Sequence, residues 1–227
     1  MVIIALDFEN KEKTFEFLKK FNEPLYVKVG MELFYAEGPL IIKEIKTLGH
    51  KIFLDLKAHD IPNTVKKAMS NLAKLDVDII NVHASGGIKM MRAALEGLRE
   101  NNSKAYLIAV TQLTSTDKEM MNDELLIQGD VIECVKKYAL NAKTAGLNGV
   151  VCSPLEVEAI KMVCGKDFIT VTPGIRPLDA SVDDQKRITS PKEAKKIGCD
   201  YIVVGRPITK AEDPVQAYRK IREDFLN

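Results

Sequence analysis

The sequence predicts a (β/α)₈ barrel, and two observations carry that prediction. Eight short aliphatic runs alternate with longer stretches in which apolar residues recur every three to four positions, the pattern of strands alternating with amphipathic helices. The chain has 227 residues, close to the usual length of this barrel and suited to one domain, residues 1–227. A doubly wound open sheet is the alternative, but it normally has fewer strands and a glycine-rich first turn, which this sequence lacks.

Each predicted strand is a run rich in Val, Ile, Leu or Phe that ends in a polar or glycine-containing turn. Such runs are typical of parallel strands that helices cover on the outside. The predicted strands are, in order, residues 2–6, 25–29, 51–56, 78–82, 105–110, 149–152, 168–171 and 201–204.

Between the strands, the apolar residues follow the helical period of 3.6 residues. A final amphipathic stretch ends the chain. The predicted helices are residues 11–20, 39–48, 62–75, 88–99, 131–145, 155–163, 192–197 and 214–225.

Composition and charge exclude several classes of protein. The net charge is +1, and the sequence has neither a basic arm nor a basic patch interleaved with aromatic residues, so we expect no nucleic-acid partner. It has no apolar segment of membrane-spanning length and no charged region before the first strand, so we expect a cytoplasmic protein without a membrane partner. Its four cysteines have no CxxC spacing, which indicates reduced and mostly buried thiols rather than disulfides or a metal site.

The end of the third predicted strand carries the strongest functional signal. Because side chains alternate along a strand, Phe53, Asp55 and Lys57 are expected on one face, directed into the barrel. Asp60 follows just before Ile61-Pro62, an arrangement that often opens a helix. A structural ion pair and a simple helix cap are the alternatives. Burying two ions for stability is seldom better than burying apolar groups, so the cluster favours a functional site.

Other polar residues also follow predicted strands, at the end of a barrel where active sites lie. Gly205-Arg206 suits a phosphate site, although the dipeptide is also compatible with a bare turn. The segment 172–191 is long and polar, as lids often are. The remaining polar residues at strand ends are Asp7, Lys28, Asn81, His83, Thr111, Thr114 and Thr172-Pro173-Gly174.

The three histidines are weaker candidates. His59 is expected to face outward or pack locally, and His50 lies at the opposite end of the barrel. His83 ends a strand on the side of the site, so it is a candidate for contacting the site residues, but a hydrogen-bonded core residue is the favoured interpretation. No Ser-His-Asp or Cys-His set can be proposed, and no spacing of His, Cys or carboxylates indicates a bound metal.

With these residues in place, the chain resembles a known family. The motif Asp55-x-Lys57-x-x-Asp60-Ile61-Pro62-x-Thr64 is similar to that of orotidine 5′-phosphate decarboxylases. A bare DxKxxD also occurs in sugar-phosphate decarboxylases and aldolases of the same barrel group. The nucleotide enzyme is favoured by the accompanying segments, which are Ala5-Leu6-Asp7, Lys28-Val29-Gly30, Leu113-Thr114-Ser115, Thr172-Pro173-Gly174-Ile175-Arg176 and Val204-Gly205-Arg206.

The resemblance implies decarboxylation of orotidine 5′-phosphate to uridine 5′-phosphate without a cofactor or metal. It implies that Lys57 protonates C6 of the pyrimidine, that Asp55 lies beside the leaving carboxylate, and that Lys28 completes the charged network. It further implies a homodimer in which Asp60 reaches the partner's site, and it implies substrate contacts from Ile61 and Thr64, which come next in the motif. The other implied substrate contacts are Asp7 and Lys28 at the ribose, Thr114 near the pyrimidine, and Pro173, Arg176, Gln185, Gly205 and Arg206 in the lid and phosphate site.

Two alternatives remain open. A magnesium-dependent sugar-phosphate enzyme on the same scaffold would need a further carboxylate for the metal, and the strand ends offer no obvious Glu. A nucleotide-binding protein without catalytic activity would not require a lysine and an aspartate pressed together.

Overall fold

The computed structural model describes residues 1–176 and 189–226. Its eight strands form a closed parallel barrel, in which each strand pairs with the next and the last pairs with the first. Closure aligns Val2 with Ile202 and Ile4 with Val204. The predicted (β/α)₈ fold is therefore confirmed. The strands are β1 Val2–Ala5, β2 Tyr26–Gly30, β3 Lys51–Ala58, β4 Ile79–His83, β5 Tyr106–Val110, β6 Gly149–Val151, β7 Ile169–Thr172 and β8 Tyr201–Val204.

The helices surround the barrel, and their apolar faces cover the outer faces of the strands. Asn10 caps the first of them, because its side chain accepts a hydrogen bond from the backbone N–H of Lys13 at 3.0 Å. The helices are α1 Lys11–Leu18, α2 Met31–Glu37, α3 Leu40–Thr47, α4 Pro62–Leu72, α5 Gly87–Arg99, α6 Val131–Ala145, α7 Val157–Cys164, α8 Pro191–Ile197, α9 Arg206–Thr209 and α10 Pro214–Leu226.

The element boundaries agree closely with those predicted. Every strand begins and ends within two residues of its predicted limits, because each run is bounded by turn residues. The helix predicted over 62–75 ends at Leu72 and continues as a 3₁₀ turn, Ala73–Leu75. Helices α2 and α9 were not predicted, because α2 directly follows β2 without a turn to mark its start, and the four residues of α9 are too few to show a helical period.

The inside of the barrel is filled by apolar side chains from alternate strand positions. Tyr26 and Tyr201 meet edge to face, with their ring centroids 5.9 Å apart. This packing leaves the carboxyl ends of the strands as the open end of the barrel. The buried side chains of the interior are those of Ile3, Ala5, Tyr26, Phe53, Ile79, Ile108, Val171 and Val203.

The amino ends of the strands are joined by polar side chains that accept backbone hydrogen bonds from a neighbouring strand. Asp78 accepts from the N–H of Ile52 at 2.8 Å, and Asn148 accepts from the N–H of Leu107 at 2.9 Å. Nδ1 of buried His50 accepts in the same way from a neighbouring backbone N–H, at 3.0 Å. These contacts satisfy backbone groups at the barrel floor, so we assign His50 a structural role.

Two further expectations concern cysteines and membranes. The four cysteines are free thiols; Cys152, Cys164 and Cys199 are buried and Cys134 is partly exposed, as predicted. Within residues 1–176 and 189–226, no helix combines the length and the apolar character needed to cross a membrane.

Candidate active site

An irregularity at the end of β3 places the central lysine. The pairing of β3 with β4 shifts register between Leu54 and Ala58, and Lys57 has φ of +51°. This left-handed conformation is uncommon for residues other than glycine. The alternation predicted over residues 51–57 is therefore interrupted at its end, but Asp55 and Lys57 still meet, with Lys57 Nζ 2.8 Å from Asp55 Oδ1.

Four charged side chains form a continuous row at the open end of the barrel. Lys28 Nζ lies 2.9 Å from Asp7 Oδ1 and 3.5 Å from Asp55 Oδ2. With Lys57 on the other oxygen of Asp55, the row runs Asp7, Lys28, Asp55, Lys57 and alternates in sign. Within one chain the row therefore begins at Asp7 and ends at Lys57, and Asp60, which was predicted to join the network from the partner subunit, is not part of it.

The row holds its buried members in their charged forms. Burial raises the pKa of Asp55, but the ammonium groups of Lys28 and Lys57 and hydrogen bonds from Lys57 and Asn81 outweigh burial, so the pKa lies below its ordinary value. Burial lowers the pKa of Lys28, but Asp55 and Asp7 outweigh that effect and raise it. Asp55 and Lys28 are therefore both charged at neutral pH.

Asp60 does not join this row within its own chain. It is exposed, its carboxylate accepts a hydrogen bond from the N–H of Ile61 at 2.6 Å, and among the described residues it makes no ion pair. The residue at the N-cap of α4 is Ile61, with Pro62 at the first helical position, so Asp60 lies one residue ahead of the cap. Ile61 and Thr64 are also exposed, and neither lines the cavity around Lys57.

A cavity of about 310 Å³ opens above the charged row. Its lining combines the charged side chains of Lys28, Asp55 and Lys57 with mostly apolar side chains, which suits a flat ring with a polar edge. Thr114, which was expected near the pyrimidine, lines this cavity. The other lining residues are Phe53, Val110, Gln112, Leu113, Ser115, Val151, Cys152, Pro173 and Val203.

A second cavity, of about 370 Å³, adjoins the first and shares Lys28, Pro173 and Val203 with it. Its predicted members are Asp7, Pro173, Arg176, Gly205 and Arg206. Cationic side chains outnumber the carboxylate there, so this cavity suits an anion. Its cations are Lys28, Arg176, Arg206 and Lys210, and its remaining lining residues are Ala5, Gly174, Ile175, Val203 and Pro207.

A glycine keeps the junction between the two cavities open. A Cβ added at Gly30 would lie 3.0 Å from Lys28 Nζ and 3.5 Å from Asp7 Oδ1. A side chain at this position would therefore crowd the ion pair of Lys28 and Asp7.

The base of the predicted lid is closed by backbone pairing. The N–H of Arg176 donates to the carbonyl of Thr189 at 3.0 Å, and the N–H of Thr189 donates to the carbonyl of Gly174 at 3.2 Å. Arg176 is buried, at 7% exposure. Residues 177–188 lie outside the described residues, and with them Gln185, which was predicted as a substrate contact.

Sequence reasoning missed several residues of the two cavities. Gln112, Ser115 and Cys152 line the first cavity, and Lys210 lines the second. A signal existed for Cys152, because it directly follows β6. Lys210 follows the short helix α9, which has no recognisable pattern of its own.

The histidines near the site form a small cluster. His59 and His83 stack, with ring centroids 5.8 Å apart, and Ser85 Oγ lies 2.8 Å from His83 Nδ1. His83 is partly exposed, not a core residue as predicted. Burial, and then His59 and Lys57, lower its pKa, so it is neutral at pH 7.

The side chains of the two cavities are poorly suited to binding a metal ion. Across the described ranges, no group of three or more His, Cys, Asp and Glu side chains could hold one. The carboxylates lining the two cavities within those ranges are Asp7 and Asp55, and both contact Lys28. A cation between them would have to displace that ammonium group.

Comparisons with known proteins agree with this geometry. Residues 1–221 match the family model described as "Orotidine 5′-phosphate decarboxylase / HUMPS family". The chain is 59% identical to orotidine 5′-phosphate decarboxylase of Staphylococcus saprophyticus over 224 residues, which is 99% of this chain and 97% of the relative. It is also 59% identical to the enzyme of the same name from Staphylococcus epidermidis over 225 residues, 99% of this chain and 98% of the relative.

Solved structures show the same likeness. The crystal structure of orotidine 5′-phosphate decarboxylase from Lactobacillus acidophilus has a TM-score of 0.90 at 44% identity, covering 100% of this chain and 99% of that one. An uncharacterized conserved protein from Geobacillus kaustophilus has a TM-score of 0.88 at 45% identity, covering 99% and 100%. The chain belongs to the orotidine 5′-phosphate decarboxylase / HUMPS family.

Proposed function

We propose that this protein decarboxylates orotidine 5′-phosphate to uridine 5′-phosphate, the last step of de novo pyrimidine nucleotide synthesis, without a cofactor or metal. The observation that carries the proposal is the contact between Lys57 Nζ and Asp55 Oδ1 at 2.8 Å, in a ring-sized cavity that adjoins a cationic one. Relatives that are 59% identical over nearly the whole chain bear the name of this activity.

The two cavities suggest how the nucleotide binds. The pyrimidine fits the first cavity, which Thr114 lines together with the charged residues. The ribose then lies at Lys28 and Asp7, which stand where the cavities join. The phosphate enters the second cavity beside Arg176, Gly205 and Arg206, where guanidinium groups can bind its oxygens.

The chemistry follows from the position of Lys57. When the bond between C6 and the carboxylate breaks, carbon dioxide leaves and the electron pair remains on C6 in the plane of the ring, where no electron sink such as pyridoxal phosphate can accept it. An ammonium group already held at that carbon stabilises the developing charge without reorganising. Lys57 then donates a proton to C6 and recovers one from water.

Asp55 has two effects in this scheme. Its contact holds Lys57 Nζ in place, and its own charge repels the carboxylate of the bound substrate until carbon dioxide leaves. Binding of the distant phosphate offsets that repulsion, so a substrate without phosphate should lose turnover as well as affinity.

We further propose a homodimer in which Asp60 completes the site of the partner, beside the partner's charged row. Asp60, Ile61 and Thr64 are exposed together at the start of α4, and Asp60 makes no ion pair among the described residues of its own chain. A carboxylate from a second copy would extend the alternating row beyond Lys57. We also propose that the chain acts as one domain in the cytoplasm, which its single barrel and its composition support.

The rival is a metal-dependent sugar-phosphate enzyme on the same scaffold, which would need a further carboxylate for its metal. The contact of both cavity carboxylates with Lys28 favours the nucleotide decarboxylase. The test is loss of orotidine 5′-phosphate, followed by its ultraviolet absorbance, with and without a chelator. We expect loss that the chelator leaves unchanged. Metal-dependent loss of a sugar phosphate instead, or nucleotide binding without turnover, would overturn the proposal.

A further inference from the structure

Asn81 is a fully buried polar residue in β4, and the reaction scheme above gives it no role. Its side-chain amide lies between two elements of the charged row. Asn81 Oδ1 accepts a hydrogen bond from the backbone N–H of Lys57 at 2.8 Å, and Asn81 Nδ2 donates to Asp55 Oδ1 at 2.7 Å. One amide therefore contacts the backbone of the lysine and the side chain of the aspartate.

The chemistry of the partners fixes which way this amide points. A backbone N–H can only donate, so the atom facing Lys57 must be the carbonyl oxygen. The charged carboxylate of Asp55 can only accept, so the atom facing it must be the amide nitrogen. Both contacts are satisfied in one orientation alone. A group with donor and acceptor at this spacing is what the site requires, and Asn supplies it.

The contact with Lys57 supports an unusual backbone. Lys57 has φ of +51° and lies where β3 departs from its register with β4. At such an irregularity, the ladder leaves a backbone N–H without its usual partner. Asn81 accepts that hydrogen bond and so holds the backbone in the conformation that directs the Lys57 side chain to Asp55.

The contact with Asp55 orients the carboxylate. Oδ1 receives both Lys57 Nζ at 2.8 Å and Asn81 Nδ2 at 2.7 Å, while Oδ2 faces Lys28 Nζ at 3.5 Å. The two donors on Oδ1 come from different strands, so the carboxylate cannot rotate without losing one of them. The side-chain amide of Asn81 therefore fixes both the orientation of the Asp55 carboxylate and the backbone conformation of Lys57.

We propose that Asn81 is a positioning residue for decarboxylation: it holds Lys57 and Asp55 together in the geometry that stabilises an anion at C6. This inference rests on the proposed function. It predicts that loss of the amide lowers turnover far more than it weakens binding of the ground state. Displacing a reacting group by about 1 Å can cost on the order of 100-fold in rate.

Two variants separate the contacts of the amide. Asn81→Ala removes both. Asn81→Asp has the same size, keeps an acceptor for the N–H of Lys57, and places a negative charge against Asp55. The matched control is Asn148→Ala, which also removes an Asn side chain that accepts a hydrogen bond from a strand N–H, but at the amino end of the barrel. The control should lose stability without losing kcat.

Three measurements are made on each variant: kcat and KM for orotidine 5′-phosphate, affinity for uridine 5′-phosphate, and affinity for a uridine 5′-phosphate analogue with an anionic oxygen at C6. For Asn81→Ala we expect kcat to fall on the order of 100-fold, with uridine 5′-phosphate affinity within about threefold of wild type. The anionic analogue should lose affinity by a factor similar to the loss in kcat, because it mimics the charge at C6.

Hydrogen exchange at the Lys57 amide gives a readout that does not depend on activity. Exchange should accelerate in Asn81→Ala and stay slow in Asn81→Asp, which retains the acceptor, while kcat falls in both. If Asn81→Ala does not fold, the proposal is tested with Asn81→Asp alone, for which we expect a lower kcat and slow exchange of the Lys57 amide. Wild-type kcat in either folded variant, or equal loss of affinity for both nucleotides, would overturn the positioning role. Failure of the wild type to turn over the substrate would instead reject the proposed function.

Discussion

The shared active site can be tested by mixing two inactive variants. Lys57→Ala removes the group that we propose protonates C6, and Asp60→Ala removes a carboxylate that makes no ion pair among the described residues of its own chain. If Asp60 serves the partner's site, a mixed dimer has one site carrying both changes and one site carrying neither. Two variants that are each nearly inactive should then recover activity together.

The expected recovery follows from two-fold symmetry. With random exchange of equal amounts, half of the dimers are mixed, and half of the sites in a mixed dimer are intact, so activity should reach roughly a quarter of wild type. The matched control is a mixture of Lys57→Ala and Asp55→Ala. These residues contact each other within one chain, at 2.8 Å, so their mixture can form no intact site.

The assay is the initial rate of orotidine 5′-phosphate loss after subunit exchange, with the fraction of mixed dimers measured by native mass spectrometry. Recovery in the first mixture and none in the control is the predicted result. If neither mixture recovers activity although mixed dimers are present, Lys57 and Asp60 serve the same site of one chain, and the shared-site model is wrong. The proposed decarboxylase activity would be unaffected by that result.

Two further predictions concern the anion site and the buried carboxylate. Arg206→Ala should raise KM for the phosphorylated substrate by roughly 10- to 100-fold, the worth of a charge-assisted hydrogen bond, and affect orotidine itself little; equal effects on both substrates would exclude Arg206 as the phosphate ligand. The pKa of Asp55 lies below its ordinary value of 3.8, so its contribution to stability is present above that pH and is lost as the pH falls through the lowered pKa. Urea unfolding at pH 6 and pH 3 should therefore show a larger loss of stability in wild type than in Asp55→Asn, and equal losses would contradict the lowered pKa.

The fold could be predicted because the apolar runs, the helical periods between them and the turn residues all indicate alternating strands and helices. Apolar runs such as those of β4 and β5 are too short for helices, and turn residues bound them, so their limits were found within two residues. The side of the barrel that carries the site also followed, since parallel strands place their carboxyl ends together. Asp55, Lys57 and Lys28 were found in this way.

The finer geometry of the site could not be predicted. The left-handed backbone of Lys57 and the register shift of β3 depend on a side chain of the neighbouring strand, Asn81, which local patterns do not reveal. Asp60 was expected to open α4, but Ile61 occupies the cap, because the Pro that follows it fixes the start of the helix. Lys210 reaches the anion cavity only because α9 turns the chain back.

The proposed mechanism depends most directly on Lys57, whose ammonium group we propose both stabilises and protonates the anion at C6. The measurement is kcat/KM for orotidine 5′-phosphate in Lys57→Ala, beside the control Lys161→Ala, which removes an ion pair with Asp200. Loss of the charge and of the acid together should lower kcat/KM by at least about 10⁴-fold, with uridine 5′-phosphate still bound and the control near wild type. A kcat/KM of Lys57→Ala within about tenfold of wild type would show that Lys57 neither stabilises nor protonates the anion at C6.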